Sequence, residues 1–329
     1  ELFGKYRSYR LDSALWVAKQ TEQLANRMSN PLYLQLARLN MAEVMMGVGM
    51  YKESIEILES INARVLDIVE LSHYYYQYHH LYTLLSEYAF SNELKEQYRR
   101  LTYQYKDSIL ALKRPGSMGY MMMKSEKLLY NEQYNEALAI LDSCYRVHVD
   151  KGYSTAIPSI CLANAYEQKG DKEMQKKFLI ISAIADIQAS TKEYISLWKL
   201  ANLLFKEGDI NRAYTYIECS MQDATFCNAR YRTQEISSMI PLINQAYESK
   251  LQKEKENLIT SFIFTAVLLV ILLIAVIYIY VQMKRLKVAR HAMNNLNEEL
   301  KQINADLQSV NNQLQESNQV KEEYIGYVF

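Results

Sequence analysis

The side chains best able to bind a metal ion or to titrate near neutral pH are the histidines, and three of the five lie in the segment SHYYYQYHH. His73 and His80 are seven residues apart and share a helix face with Gln77, while His79 is adjacent. Such imidazoles could form a metal site or a pH sensor. Because metal sites normally need three or four convergent ligands, we expect these rings to pack among the neighbouring tyrosines instead.

Sulfur-containing residues offer a second kind of chemistry. The segments MAEVMMGVGM and MGYMMMK could bind a soft metal ion or form an adaptable peptide groove, but methionine more often fills gaps between helices, which we expect here. The cysteines have no C-x-x-C spacing, so neither a zinc site nor a thioredoxin-like motif is predicted. Both disulfides and buried free thiols are compatible with the positions of Cys144, Cys161, Cys219 and Cys227.

The sequence carries no recognisable catalytic motif. It lacks a phosphate-binding glycine loop, an HExxH motif, a G-x-S-x-G motif and a kinase glycine loop. We therefore predict no enzyme active site, cofactor or metal in these residues, although a kinase domain could follow the last of them. The 37 Lys and Arg residues balance 37 Asp and Glu residues, so we expect no direct nucleic-acid binding.

The elements that position these residues are predicted to be helices, because the 329 residues include only 9 Gly and 4 Pro. The segments LANAYEQKGDKEMQKKFL and LANLLFKEGDINRAYTYI align without a gap, and in each an alanine precedes a glycine by seven residues. Small residues let the two helices of a pair pack closely, Gly tolerates a positive φ in the turn, and Asp can cap the next helix. The positions that define this pattern are Ala42, Gly49, Ala163, Gly170, Ala201, Gly208 and Ala213.

This pattern resembles the tetratricopeptide repeat over roughly residues 30–225. Two departures are visible: Gln175 occupies a small-residue position, and the helix pair that turns near Phe90 lacks the glycine. The resemblance implies an all-α solenoid of helical hairpins whose concave face binds a protein or peptide ligand.

An uncharged apolar run over residues 258–281, LITSFIFTAVLLVILLIAVIYIYV, predicts a single transmembrane helix. A helix of this length covers about 36 Å, enough for a hydrocarbon core of about 30 Å. A basic edge follows, formed by Lys284, Arg285, Lys287 and Arg290. Because such an excess marks the cytoplasmic side, we predict an extracytoplasmic repeat domain and a cytoplasmic tail.

A heptad pattern in the tail predicts a coiled coil. Leucine or methionine recurs every seven residues, and a second apolar position follows each by three. The predicted seam consists of Leu286, Met293, Leu296, Leu300, Ile303, Leu307, Val310 and Leu314. We expect self-association as a dimer; more than two strands, or one helix docked on another domain, are the alternatives.

The predicted organisation has five segments. They are a tetratricopeptide-like repeat domain at 1–245, a juxtamembrane helix at 246–257, the transmembrane helix at 258–281, the coiled coil at 282–323, and the start of a truncated output region at 324–329.

The whole arrangement, ending in KEEYIGYVF, resembles a bacterial family of membrane-anchored tetratricopeptide regulators whose intracellular region opens with a KEEYIGY-type motif, here residues 321–327. The resemblance implies a signalling role in the inner membrane, with a periplasmic repeat domain. A truncated tetratricopeptide sensor histidine kinase and a non-signalling envelope scaffold are the alternatives.

Overall fold

The computed structural model describes residues 2–151 and 154–328, with side chains through residue 323. These residues form fourteen α-helices, one 3-10 turn at Ala63–Val65 and no β-strand, which confirms the predicted all-α fold. The helices are α1 (Leu2–Arg7), α2 (Leu11–Arg27), α3 (Pro31–Gly47), α4 (Tyr51–Glu59), α5 (Ile68–Tyr88), α6 (Asn92–Leu112), α7 (Met118–Tyr130), α8 (Tyr134–Asp150), α9 (Ala156–Lys169), α10 (Lys172–Gln188), α11 (Ser196–Lys206), α12 (Ile210–Cys227), α13 (Arg230–Ser237) and α14 (Ile240–Val328).

The chain divides into two compact units, residues 1–250 and 251–329. In the first, called the repeat unit below, consecutive helices from α3 to α12 pack as antiparallel hairpins. The predicted solenoid of helical hairpins is therefore the architecture of this unit.

The residue types in the turns of the hairpins explain the backbone conformations of those turns. Gly49, Gly170 and Gly208 have φ values of 78°, 83° and 86°, which an L-residue with a Cβ adopts only at a cost. After two of these glycines, Asp171 and Asp209 accept hydrogen bonds from backbone N–H groups in the first turn of the next helix, at 3.1 Å in both cases.

Two turns are built differently. The α5–α6 turn has no glycine, and Ser91 caps α6 by accepting from the Leu94 N–H at 3.2 Å. In the α7–α8 turn, Glu132 adopts the left-handed conformation at φ 60° where the other turns place glycine. Turn geometry is thus retained where the glycine pattern of the sequence is interrupted.

Buried apolar residues of the repeat unit form two large cores. The second core draws on residues 129–243. The first core draws on residues 11–84 but also contains Cys227, Ala229 and Tyr231. Residues near the two ends of the repeat unit therefore share one core, a contact that the sequence analysis did not predict.

The second unit is the continuation of α14 from residue 251, and its side chains are exposed through residue 323. Within the described residues, α14 is the one helix long and apolar enough to cross a membrane, with a mean hydropathy of 3.2 in its most apolar window. Length and composition alone support this, and none of that window is buried against protein.

Candidate functional site

Three hydrogen bonds join residues 8–88 of the repeat unit to residues 192–231, and we call them the closure. The Lys192 N–H donates to the Ser8 carbonyl oxygen at 2.6 Å. Asn228 Nδ2 donates to Asp12 Oδ1 at 3.0 Å. The Tyr88 hydroxyl donates to the Tyr231 carbonyl oxygen at 3.3 Å.

A polar cluster beside the closure begins with α1, α3 and α5. Arg7 Nη1 lies 2.7 Å from Glu43 Oε1, and this carboxylate holds the pKa of Arg7 above its ordinary value. Gln77 Nε2 donates to His73 Nε2 at 2.7 Å and to Glu43 Oε2 at 3.4 Å. Because the amide nitrogen can only donate, neutral His73 carries its proton on Nδ1. Burial lowers the pKa of His73, which favours that neutral form.

The polar cluster continues into the segment before α11 and into α13. The Tyr231 hydroxyl donates to Glu193 Oε2 at 2.9 Å, and Arg232 Nε donates to the Glu193 carbonyl oxygen at 3.2 Å. Arg232 is only 5% exposed and is paired with Glu235. Burial raises the pKa of Glu193. Burial opposes the charge of Arg232, but Tyr231, Glu235 and Glu193 together raise its pKa.

The α5 side chains of the cluster titrate far from their ordinary ranges. Burial lowers the pKa of His80 to about 4, with a smaller contribution from His79. Burial raises the pKa of Tyr76 to about 12, and the carboxylates of Glu126 and Glu43 add to this shift. Tyr76 nevertheless keeps 40% of its surface exposed. The hydroxyl therefore faces protein while part of the ring remains accessible.

The aromatic packing predicted for the histidines is confirmed for His79 and His80, whereas His73 is hydrogen-bonded to Gln77. The ring of His80 stacks on Tyr76 at 6.2 Å and meets Tyr231 edge-on at 6.5 Å. The ring of His79 lies 6.2 Å from Tyr76, and His79 Nδ1 donates to the Thr102 carbonyl oxygen at 3.2 Å. Among the described residues, no group of three or more His, Cys, Asp or Glu side chains could hold a metal ion.

Several buried polar atoms of the repeat unit have no hydrogen-bond partner among the described residues. They include Gln77 Oε1 in the polar cluster and, on α11, Trp198 Nε1 and Asn202 Oδ1. Trp198 and Asn202 are four residues apart and so lie on one helix face. Burying a polar atom without a partner costs free energy, so these atoms lower the stability of the folded repeat unit.

Residues 1–238 match the family model described as the SusR N-terminal TPR domain, where TPR denotes the tetratricopeptide repeat. The chain belongs to this family. The match covers more than two thirds of the 329 residues and includes the closure and the polar cluster.

No curated protein matches the chain. Among solved structures, the crystal structure of BtubC (BKLC) from P. vanneervenii is 12% identical, with a TM-score of 0.39, and the alignment covers 70% of this chain and 92% of that one. A likeness this distant carries no argument about fold or function.

In the SusR-type TPR domain, the small residues of the sequence pattern lie where helices cross. Ala42, Ala163, Ala201 and Ala213 are buried, each at 1% exposure or less. Ser54, on α4, is buried as well and donates to the Ala42 carbonyl oxygen at 2.9 Å. Close packing of paired helices thus depends on these positions.

The other predicted residues lie on α14, outside the SusR-type TPR domain. The basic edge at Lys284, Arg285, Lys287 and Arg290 is exposed. The seam is exposed as well, and its members Leu286, Met293, Leu296, Leu300, Ile303, Leu307, Val310 and Leu314 range from 50% to 70%. Residues 324–327 of the KEEYIGY-type motif lie outside the residues whose side chains are described.

Some of the sulfur-containing residues of the TPR domain pack in its cores, whereas Met50 and Cys219 are exposed. Met46 and Met123 are buried, as expected of gap-filling side chains. All four cysteines are free thiols, and burial raises the pKa values of Cys161 and Cys227 to about 12. These two thiols are therefore poor nucleophiles at neutral pH.

Sequence reasoning missed the charged side chains that join distant helices of the TPR domain. Arg7, Glu43, Glu193 and Arg232 belong to no repeat motif, and their partners lie far away in sequence. Of these residues, only Arg232 could have been recognised from the sequence, because it lies near the buried Tyr231 and Ile236 on a short helix. Long-range ion pairing leaves no periodic trace in a single sequence.

Proposed function

We propose that this protein is a membrane-anchored regulator of the inner membrane. Its periplasmic TPR domain binds a protein or peptide ligand, and α14 relays that event to a dimeric coiled coil in the cytoplasm. The relay, the topology and the dimer are the proposed steps beyond family membership.

The observation that carries the proposal is the composition of α14. One unbroken helix contains the last turns of the repeat unit, the apolar run at residues 258–281 and the heptad seam that follows it. A helix resists bending, so a rotation or shift at one point is passed along its axis.

The orientation rests on the basic edge. Lys284 and Arg285 follow the apolar run directly, with no acidic side chain between residues 257 and 297. Lys250, Lys253 and Lys255 precede it but are interleaved with glutamates. A Lys and Arg excess marks the cytoplasmic side, and this supports a periplasmic TPR domain.

The dimer rests on the exposure of the seam. Leu300 is 50% and Leu307 61% exposed in the single chain, so both would gain by burial against a second copy. Fully burying a leucine contributes about 1.5–3 kcal/mol. Four consecutive heptads of such residues favour association of two copies.

Ligand binding rests on the chemistry of the TPR domain. The exposed part of Tyr76 offers an aromatic surface to a polypeptide. Repeat domains present such extended surfaces to polypeptides.

Disulfide cross-linking in isolated membranes tests dimerisation and relay together. In a Cys219→Ser background, Leu300→Cys on the seam should form a covalent dimer under a mild oxidant, and Ala305→Cys on the opposite helix face should not. Deleting residues 1–238 should change the cross-linking rate at position 300 if the TPR domain biases the coil. An equal rate with and without those residues would favour the scaffold alternative, and equal cross-linking at both positions would exclude the seam.

A further inference from the structure

Helix α13 belongs to both hydrophobic cores of the repeat unit. Tyr231, near its start, lies in the first core with residues 11–84. Ile236, near its end, lies in the second core with residues 129–243. This helix of eight residues, together with Cys227 at the end of α12 and Ala229, thus joins two groups of hairpins that otherwise have separate cores. We call them the N-lobe (α1–α6) and the C-lobe (α7–α12).

Away from α13, the lobes meet mainly through polar and aromatic side chains of α6 and α7. Lys106 Nζ lies 2.9 Å from Glu126 Oε2, and Lys127 Nζ lies 2.8 Å from Asp107 Oδ1. The backbone passes between the lobes through residues 113–117, a non-helical segment that includes Gly116 at φ 83°. Short segments of this kind absorb the dihedral changes of hinge motions.

The closure is the second junction of the lobes, and its hydrogen bonds lie beside apolar contacts of Cys227, Ala229 and Tyr231 with the first core. Its contacts are the hydrogen bonds of Tyr88, Asp12 and Ser8, next to the buried ions Glu193 and Arg232. Charged groups in a closed contact lose hydration, and opening the contact would restore it. The free energies of the closed and open states therefore differ less than they would for apolar packing of the same size.

The start of α14 is attached to the C-lobe immediately after α13. Ile243 is fully buried in the second core. The ring of Tyr247 stacks on Tyr214 at 4.0 Å, and Lys250 Nζ donates to Asn211 Oδ1 at 2.9 Å. Only residues 238 and 239 separate α13 from α14, so a displacement of α13 must be accommodated at the first turns of α14.

We propose that the closure is a latch between the two lobes, that the lobes hinge about residues 113–117, and that α13 carries the opening of the latch to the start of α14. The inference rests on the proposed function only in taking the ligand of the TPR domain as the natural trigger. The latch is present without a ligand, and its coupling to α14 can be measured without one.

Hydrogen–deuterium exchange of the full chain in nanodiscs tests the coupling. The double variant Tyr88→Phe with Asn228→Gly removes two closure hydrogen bonds while keeping the Tyr88 ring, and glycine tolerates the left-handed conformation at position 228, where φ is 61°. Exchange in residues 230–250 should rise about tenfold, as expected for the loss of one or two such bonds, while residues 197–217 of the second core stay protected. The matched control, Lys127→Ala, breaks an ion pair at the other junction and should leave residues 240–250 unchanged.

A rise confined to residues 230–237, with 240–250 unchanged, would overturn the coupling. An equal response of residues 240–250 to the control variant would overturn it as well.

If the double variant unfolds throughout, the opposite manipulation decides the question. Asp12→Cys with Asn228→Cys, bridged by a short bis-maleimide in a Cys219→Ser background, should lower exchange in residues 240–250 below the wild-type rate. Unchanged exchange in the bridged protein would equally overturn the latch. Either result is independent of whether the repeats bind a peptide.

Discussion

The hydroxyl of Tyr88 donates a hydrogen bond to the backbone carbonyl oxygen of Tyr231, 3.3 Å away and 143 positions later in the chain. This bond links the end of α5 to α13, so the hairpins of the N-lobe contact the last short helix before α14. Tyr88 also stacks on Tyr51 of α4 at 6.5 Å. A displacement of Tyr88 would therefore affect contacts with both α4 and α13.

Enlarging a small residue at a helix crossing should destabilise the repeat unit. Ala213 is fully buried on α12, so Ala213→Leu should lower the free energy of unfolding by about 1–3 kcal/mol through overpacking. Ala111→Leu, at an exposed position on α6, should change it by less than about 0.5 kcal/mol. Urea unfolding of residues 1–250, followed by circular dichroism, measures both. Equal effects of the two changes would refute the packing role of the alanine.

The half-buried imidazole of His80 should make the repeat unit sensitive to acid. Folding lowers its pKa from about 6.5 to about 4, so the unfolded state takes up the proton first as the pH falls. The stability linked to His80 is fully present above about pH 6.5 and is lost between about pH 6.5 and pH 4. The variant His80→Gln has no side chain at position 80 that takes up a proton in this pH range.

The free energy of unfolding should therefore fall more steeply in wild type than in His80→Gln over that window. The difference in slope approaches about 1.4 kcal/mol per pH unit for one group. Urea titrations at half-unit pH steps measure it. Parallel curves for the two proteins would show that His80 is accessible to protons in the folded state.

The seam should associate without the rest of the chain. A peptide of residues 284–323 should form dimers, and Leu300→Asp with Leu307→Asp should abolish them because the carboxylates would face each other across the seam. The control, Ala305→Asp with Asn312→Asp, adds the same charge on the opposite helix face and should still dimerise. Sedimentation at high micromolar concentration reads out all three peptides. A monomeric wild-type peptide would leave the single helix docked on another domain as the better explanation.

Local pattern was enough to predict the hairpins and the long apolar helix. The alanine and glycine spacing around Ala163 and Gly170 arises from contacts within one hairpin, and such contacts recur at fixed intervals in sequence. The turn at Glu132 was harder, because a residue other than glycine adopts the left-handed conformation there.

The closure and the polar cluster could not be predicted in the same way. Asp12 and Asn228 are 216 positions apart, and neither residue type nor spacing marks them as partners. The same holds for Arg7 and Glu43 on α1 and α3, which look like ordinary surface charges in the sequence. Such pairs follow from how the hairpins stack, which depends on every inter-helix angle along the unit.

The most direct test of the proposed arrangement is the accessibility of two thiols on either side of residues 258–281. In intact spheroplasts, a membrane-impermeant maleimide should label the exposed native Cys219. The same reagent should label Ser309→Cys, in a Cys219→Ser background, only after the membrane is permeabilised. Labelling of Ser309→Cys from outside with protection of Cys219 would reverse the topology, and labelling of both before permeabilisation would contradict a membrane-spanning α14.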